Sequence, residues 1–107
     1  MTKQEEKQKL RQTVRRLEAE LPLPYQTKSN AAIAARLRSM PAYQAAETVF
    51  CFVGVRREVD TGEVLRDALA GGKRLCVPLC VGEGRMEPRR ITSLNHLVPG
   101  TYGIPEP

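Results

Sequence analysis

The chain is short of the residues that mark several classes of protein. Tryptophan is absent, and 107 residues hold only two Phe and three Tyr. That leaves little for the base stacking on which single-stranded nucleic-acid binders depend. Histidine occurs once, at His96, and cysteine three times, at Cys51, Cys76 and Cys80. An odd cysteine count without a framework spacing argues against a secreted disulfide scaffold. Cys76 and Cys80 sit in "LCVPLC", where a zinc site would lack two further ligands, so the three cysteines read as small buried hydrophobes. No apolar run reaches the length of a membrane span. The opening "MTKQEEKQKL" is polar and mixed in charge, unlike a secretory signal, and makes cytoplasm the expected location.

What is present is ordinary for one globular domain over residues 1–107, with 41% hydrophobic and 27% charged residues. The net charge of +5 is uneven. Residues 1–40 hold nine Lys/Arg against four Asp/Glu, whereas residues 41–107 hold eight of each. All the excess positive charge therefore lies in the N-terminal part, which points to an anionic partner there: phosphates on a small molecule, or nucleic acid.

Periodicity then divides the chain. Residues 3–21 read as a helix, with Thr2 and Glu5 as a capping box and Leu10, Val14, Leu17 and Leu21 as one apolar stripe. Lys7 and Arg11 stand one turn apart on a shared face. Pro22 and Pro24 end this helix. "SNAAIAARLRSM" predicts a second helix, with a start nearer Pro24 left open, a buried stripe of Ile33, Leu37 and Met40, and a stop at Pro41. "TVFCFVGV", residues 48–55, is a continuous apolar run and reads as a central strand covered on both faces. "EVDTGEVLRDALAGGK" gives a helix capped by Asp60 or Thr61 and closed by Gly71-Gly72. "RLCVPL" is a second strand, and strand–helix–strand within this span is a βαβ unit. "RMEPRRIT" is read as a further strand or extended segment, and "SLNHLV" as one helical turn capped by Ser93. Pro99, Gly100, Gly103, Pro105 and Pro107 read as loop residues. In open parallel sheets ligands bind at the carboxyl ends of strands, so "GVRREVDT" and "CVGEGRM" are the candidate site segments.

Three segments taken in order resemble one enzyme family. They are "KQKLR" in the first helix, "EVDTGEVL" followed by "GKRLCVPL", and "YGIPEP" with "GRME" upstream. The set resembles the 5-formyltetrahydrofolate cyclo-ligase (methenyltetrahydrofolate synthetase) family across essentially all 107 residues. The resemblance implies an α/β fold: a three-layer, open, mainly parallel sheet flanked by helices. Family members continue past the equivalent of "GIPEP" into a glycine-rich, nucleotide-closing segment. The chain therefore reads as the N-terminal portion of the family domain, truncated relative to it, with a separate chain as one possible source of the C-terminal half.

The resemblance also implies the reaction and the site. The reaction converts 5-formyltetrahydrofolate and ATP, with Mg²⁺, into 5,10-methenyltetrahydrofolate, ADP and phosphate. Lys7 and Arg11 match the family's nucleotide-binding pair, with Gln8, Lys9 and Leu10 between them; a solvated helix face is the plain alternative, and for Leu10 a core position. Glu58 matches the folate-binding carboxylate, an acceptor suited to the pterin's N–H edge. Val53 matches a position lining the same pocket, or is plain core. Met86 and Tyr102 match an apolar and an aromatic position near the folate, where a flat pterin stacks on the tyrosine. No metal ligand and no catalytic residue is assigned. Two other readings stand beside this one: a non-catalytic remnant that binds folate or dimerises through its sheet edge, and a basic nucleic-acid-binding module, which the interspersed glutamates disfavour. No membrane partner is expected.

Overall fold

The computed structural model describes residues 1–107, the side chain of Thr101 excepted. Helix α1 (Lys3–Ala19) opens on the expected capping box: the Thr2 hydroxyl accepts from the Glu5 N–H, and the Glu5 carboxylate accepts from the Thr2 N–H. No α1 residue is buried. The stripe is present, but Leu10 is 65% exposed and Leu17 53%, so Leu10 is not a core residue. Helical periodicity records an apolar face without saying what covers it.

Pro22 and Pro24 act differently from expectation. Helix α1 has already ended, and the two prolines start α2 (Leu23–Ser39), Pro22 as its N-cap and Pro24 in its first turn. The buried face of α2 is also displaced from the stripe read from sequence. Ala34 is buried and Leu37 packs beside it, while Ile33 and Met40 are exposed. A small side chain here lets the helix approach the ring of Tyr43. Pro41 does not simply stop the chain; it begins a further short helix, α3 (Pro41–Ala45).

Strand β1 (Thr48–Phe50), helix α4 (Gly62–Ala70) and strand β2 (Arg74–Gly82) form the βαβ unit, with β1 and β2 parallel and Val49 opposite Leu75. Strand β3 (Arg85–Ile91) then pairs antiparallel with β2, so the sheet is mixed, in the order β1-β2-β3. Strand β1 therefore lies at the edge rather than at the centre. Its run alternates: Val49, Cys51 and Val53 pack on the core, whereas Phe50 and Phe52 are 58% and 50% exposed. The core of Leu65, Ala68, Leu75, Val77 and Ile91 sits between α4 and the sheet. A second cluster of Ala34, Tyr43 and Val64 joins α2, α3 and α4, and shares Val49 and Cys51 with the first.

Helix α4 closes as the glycine pair foretold. The Lys73 N–H reaches the Ala68 carbonyl and the Gly72 N–H reaches Leu69, with Gly72 at φ +75°. Lys73 then donates from Nζ to the carbonyls of Ala46 (2.6 Å) and Gln44 (3.1 Å), and covers the Tyr43 ring at 5.0 Å. After β3 comes the helical turn Leu94–His96, with the Ser93 hydroxyl accepting from the Asn95 N–H. The last residues are more ordered than a loop. Strands β4 (Val98–Pro99) and β5 (Pro105–Glu106) pair across a turn, Pro99 opposite Pro105.

Candidate functional site

A cleft lies where the βαβ unit places ligand sites, at the carboxyl end of β1. It encloses about 370 Å³ between three elements, a volume in the range of small-molecule sites. One wall is Glu18 at the end of α1 and Leu21 just beyond it. A second is a face of α2, where Gln26, Ser29, Asn30 and Ile33 recur at helical spacing beside Tyr25. The third is the loop from Gly54 to Asp60.

That loop is held at every turn. The Gly54 N–H donates to the Thr61 hydroxyl at 3.0 Å, and the hydroxyl donates to the Phe52 carbonyl at 2.8 Å. Thr61 is 6% exposed, so its side chain fastens the loop's exit to its entrance instead of capping α4. The α4 cap falls to Asp60, whose Oδ1 accepts from the Gly62 N–H at 2.9 Å. The Asp60 N–H in turn donates to Asn30 Oδ1 at 3.2 Å, tying the loop to α2. Gly54 is required by contact, since a Cβ there would collide with the Val59 carbonyl.

Glu58 lines this cleft. Its Oε1 accepts from the Val55 N–H at 2.9 Å, and its own N–H donates to the Val55 carbonyl at 3.1 Å. The carboxylate is thereby oriented by its own loop and keeps accepting capacity for a ligand donor. Arg57 spans to α1, donating from Nη1 to the carbonyls of Glu18 (3.3 Å) and Leu21 (3.1 Å). An arginine at the last carbonyls of a helix meets both their unpaired acceptors and the negative end of the dipole. Arg56 takes the left-handed conformation at φ 54°, which costs a non-glycine residue about 1–2 kcal/mol. Its guanidinium lies against the chain's last turn, within 3.8 Å of where a Cβ on Gly103 would stand.

The other residues singled out from sequence are placed as follows. Val53 is half-buried and packs on the core beside the loop. Tyr102 is 70% exposed, at φ 65°, in the turn that Arg56 touches through Gly103. Met86 is 62% exposed on β3, opposite Cys80. Lys7, Gln8, Lys9, Leu10 and Arg11 are exposed on α1 and do not line the cleft, although the far end of the same helix does. Sequence reasoning marked the loop but passed over Tyr25, Asn30, Arg56 and Arg57. For Arg56 and Arg57 the one signal was the loop's position after β1, and the contacts that tie Arg57 to the end of α1 and Asn30 to Asp60 join residues thirty to thirty-nine apart in the chain.

Two groups outside the cleft are perturbed. The Tyr43 hydroxyl is pushed up to about 12 by burial and by its 2.7 Å hydrogen bond to Asp67. Burial also raises the Cys51 thiol above its ordinary value, partly opposed by the Thr61 hydroxyl.

Comparison with known proteins bears on this arrangement. The family model described as the 5-formyltetrahydrofolate cyclo-ligase family matches residues 3–107, and the chain belongs to that family. Its fold is similar to that in the NMR structure of the 5,10-methenyltetrahydrofolate synthetase of Aquifex aeolicus, with a TM-score of 0.82 and 25% sequence identity. The likeness covers 94% of this chain and 51% of that one, so the chain spans about half the length of the solved relative. None of the curated proteins compared matches it.

Proposed function

We propose that this chain, as a member of the 5-formyltetrahydrofolate cyclo-ligase family, carries the folate-binding part of an ATP-dependent cyclo-ligase of one-carbon metabolism that acts in the cytoplasm. The observation that carries the reading is the cleft at the end of β1, with the Glu58 carboxylate oriented inside it. The substrate would be 5-formyltetrahydrofolate and the product 5,10-methenyltetrahydrofolate. A formamide oxygen is a poor leaving group. Transfer of the ATP γ-phosphoryl to it makes phosphate the leaving group, the neighbouring folate nitrogen closes the ring, and ADP and phosphate depart. Such chemistry depends on positioning and on charge stabilisation.

In this reading Glu58 accepts hydrogen bonds from the N–H edge of the pterin. Val53 lies beneath the loop, Tyr102 offers a stacking face, and Met86 supplies an apolar contact. Lys7 and Arg11 hold the triphosphate, Arg as a planar fork and Lys as a mobile point charge, with Gln8, Lys9 and Leu10 between them. Among the described residues no three His, Cys, Asp or Glu side chains gather into a metal site. Mg²⁺ would arrive on the nucleotide phosphates, as it commonly does. The remainder of the nucleotide site would come from residues equivalent to the relative's other half, on this polypeptide or a second one.

A second reading, folate binding without turnover, is favoured by one observation: the cations of α1 do not line the cleft. The test is to mix the chain with 5-formyltetrahydrofolate and MgATP and follow methenyltetrahydrofolate by its absorbance. Turnover that disappears in Glu58→Ala and in Arg11→Ala supports the ligase reading. Saturable folate binding without turnover supports the second. A folded chain that binds no folate contradicts both.

A further inference from the structure

The cleft contains charges of both signs, and all but one of those on the 54–60 loop are committed within the protein. Glu58 accepts from Val55, Asp60 accepts from Gly62, and Arg57 donates to the end of α1. Arg56 alone of the four makes no hydrogen bond or ion pair among the described residues. Its backbone is left-handed, a conformation that arginine adopts only against a steric cost. This residue is therefore held in an unfavourable backbone state with its five donors unspent. Its guanidinium reaches from the cleft toward Gly103, next to Tyr102. An anion entering here would otherwise face Glu18, Glu58 and Asp60 with Arg57 as the one other cation of the lining, its Nη1 donors already turned to the carbonyls at the end of α1.

We infer that Arg56 is an anion-binding residue of the cleft, which engages an oxyanion of the bound ligands through paired N–H donors. The inference rests on the folate reading above and extends it to a residue that the family resemblance did not single out. Two oxyanions share this chemistry. One is a carboxylate on the glutamate tail of the folate; the other is a phosphate of the nucleotide. Both accept the flat two-donor edge of a guanidinium. Arg56 stands two residues from Glu58, so the anion it holds belongs to the ligand that Glu58 contacts or to one pressed against it.

The test is calorimetric titration of the full chain, as wild type, Arg56→Gln, and Arg90→Gln. The last removes the same charge from an exposed position on β3 outside the cleft and controls for net charge. The probes are 5-formyltetrahydrofolate, a pterin analogue that carries no carboxylate (5-formyl-6-methyltetrahydropterin), and MgATP. The expected result is that Arg56→Gln weakens one class of ligand about tenfold or more while Arg90→Gln does not. Loss confined to the glutamate-bearing folate assigns the carboxylate. Loss confined to MgATP assigns the phosphate. Unchanged affinity for all three probes, or equal loss in both variants, overturns the anion role and leaves the folate reading intact. Failure of the folded wild type to bind any probe overturns both.

Discussion

Thr61 gives the sharpest test of how the cleft is built. Its hydroxyl receives the Gly54 N–H at 3.0 Å and donates to the Phe52 carbonyl at 2.8 Å, at a position 6% exposed. Thr61→Val keeps the shape and removes both bonds. An unsatisfied buried polar group costs about 1–3 kcal/mol. Phe52 is exposed and Gly54 half-buried, so water relieves part of the loss and the lower half of that range applies to each, about 2–4 kcal/mol together. For a chain of this length that corresponds to a fall of about 10–18 °C in Tm. Thr61→Ser keeps the hydroxyl and loses only a methyl, about 1 kcal/mol. Urea unfolding of the three proteins measures the difference, and amide exchange at Gly54 reports whether the loop has come loose. A valine variant no less stable than the serine variant, with Gly54 still protected, would refute the claim that this hydroxyl fastens the loop.

Gly54→Ala forces a Cβ into the Val59 carbonyl, and a loss of about 3 kcal/mol with weakened ligand binding is expected in the same assays. Tyr43 tests the α3–α4 contact. Its hydroxyl is raised from 10.0 to about 12 in the folded chain, so the stabilisation is complete below pH 10 and is lost as pH rises from 10 to 12. Because Arg38 and Asp67 are more than a third exposed, screening leaves about 1–2 kcal/mol, which denaturant titrations across this window will show in the wild type and not in Tyr43→Phe. Cys51, with its thiol raised by burial, should be alkylated more slowly at pH 8 than a free cysteine.

Local rules carried much of the fold. The capping box at Thr2 and Glu5, the glycine pair after α4 and the βαβ unit depend on neighbours in sequence, and each stands as read. The loop after β1 was also marked, because strand ends in such units are where ligands approach. The readings that shifted needed long-range information. An apolar run did not reveal that β1 is an edge strand with Phe50 and Phe52 outward. Hydrophobicity ranked Ile33 and Met40 above Ala34, although close approach to Tyr43 decides which face of α2 is buried. Arg56 and Arg57 read as two charged loop residues. Only the folded chain shows one spanning to α1 and the other left without a partner.

The central claim is that folate occupies the cleft between α1, α2 and the 54–60 loop. It is tested most directly by adding 5-formyltetrahydrofolate to the isotopically labelled chain and mapping the perturbed amides by NMR, in the wild type and in Glu58→Gln. The account predicts saturable shifts concentrated at Gly54–Asp60, Tyr25, Asn30 and the Tyr102 turn, with affinity about tenfold lower in the variant. Shifts clustered elsewhere, or undiminished binding by Glu58→Gln, would contradict it.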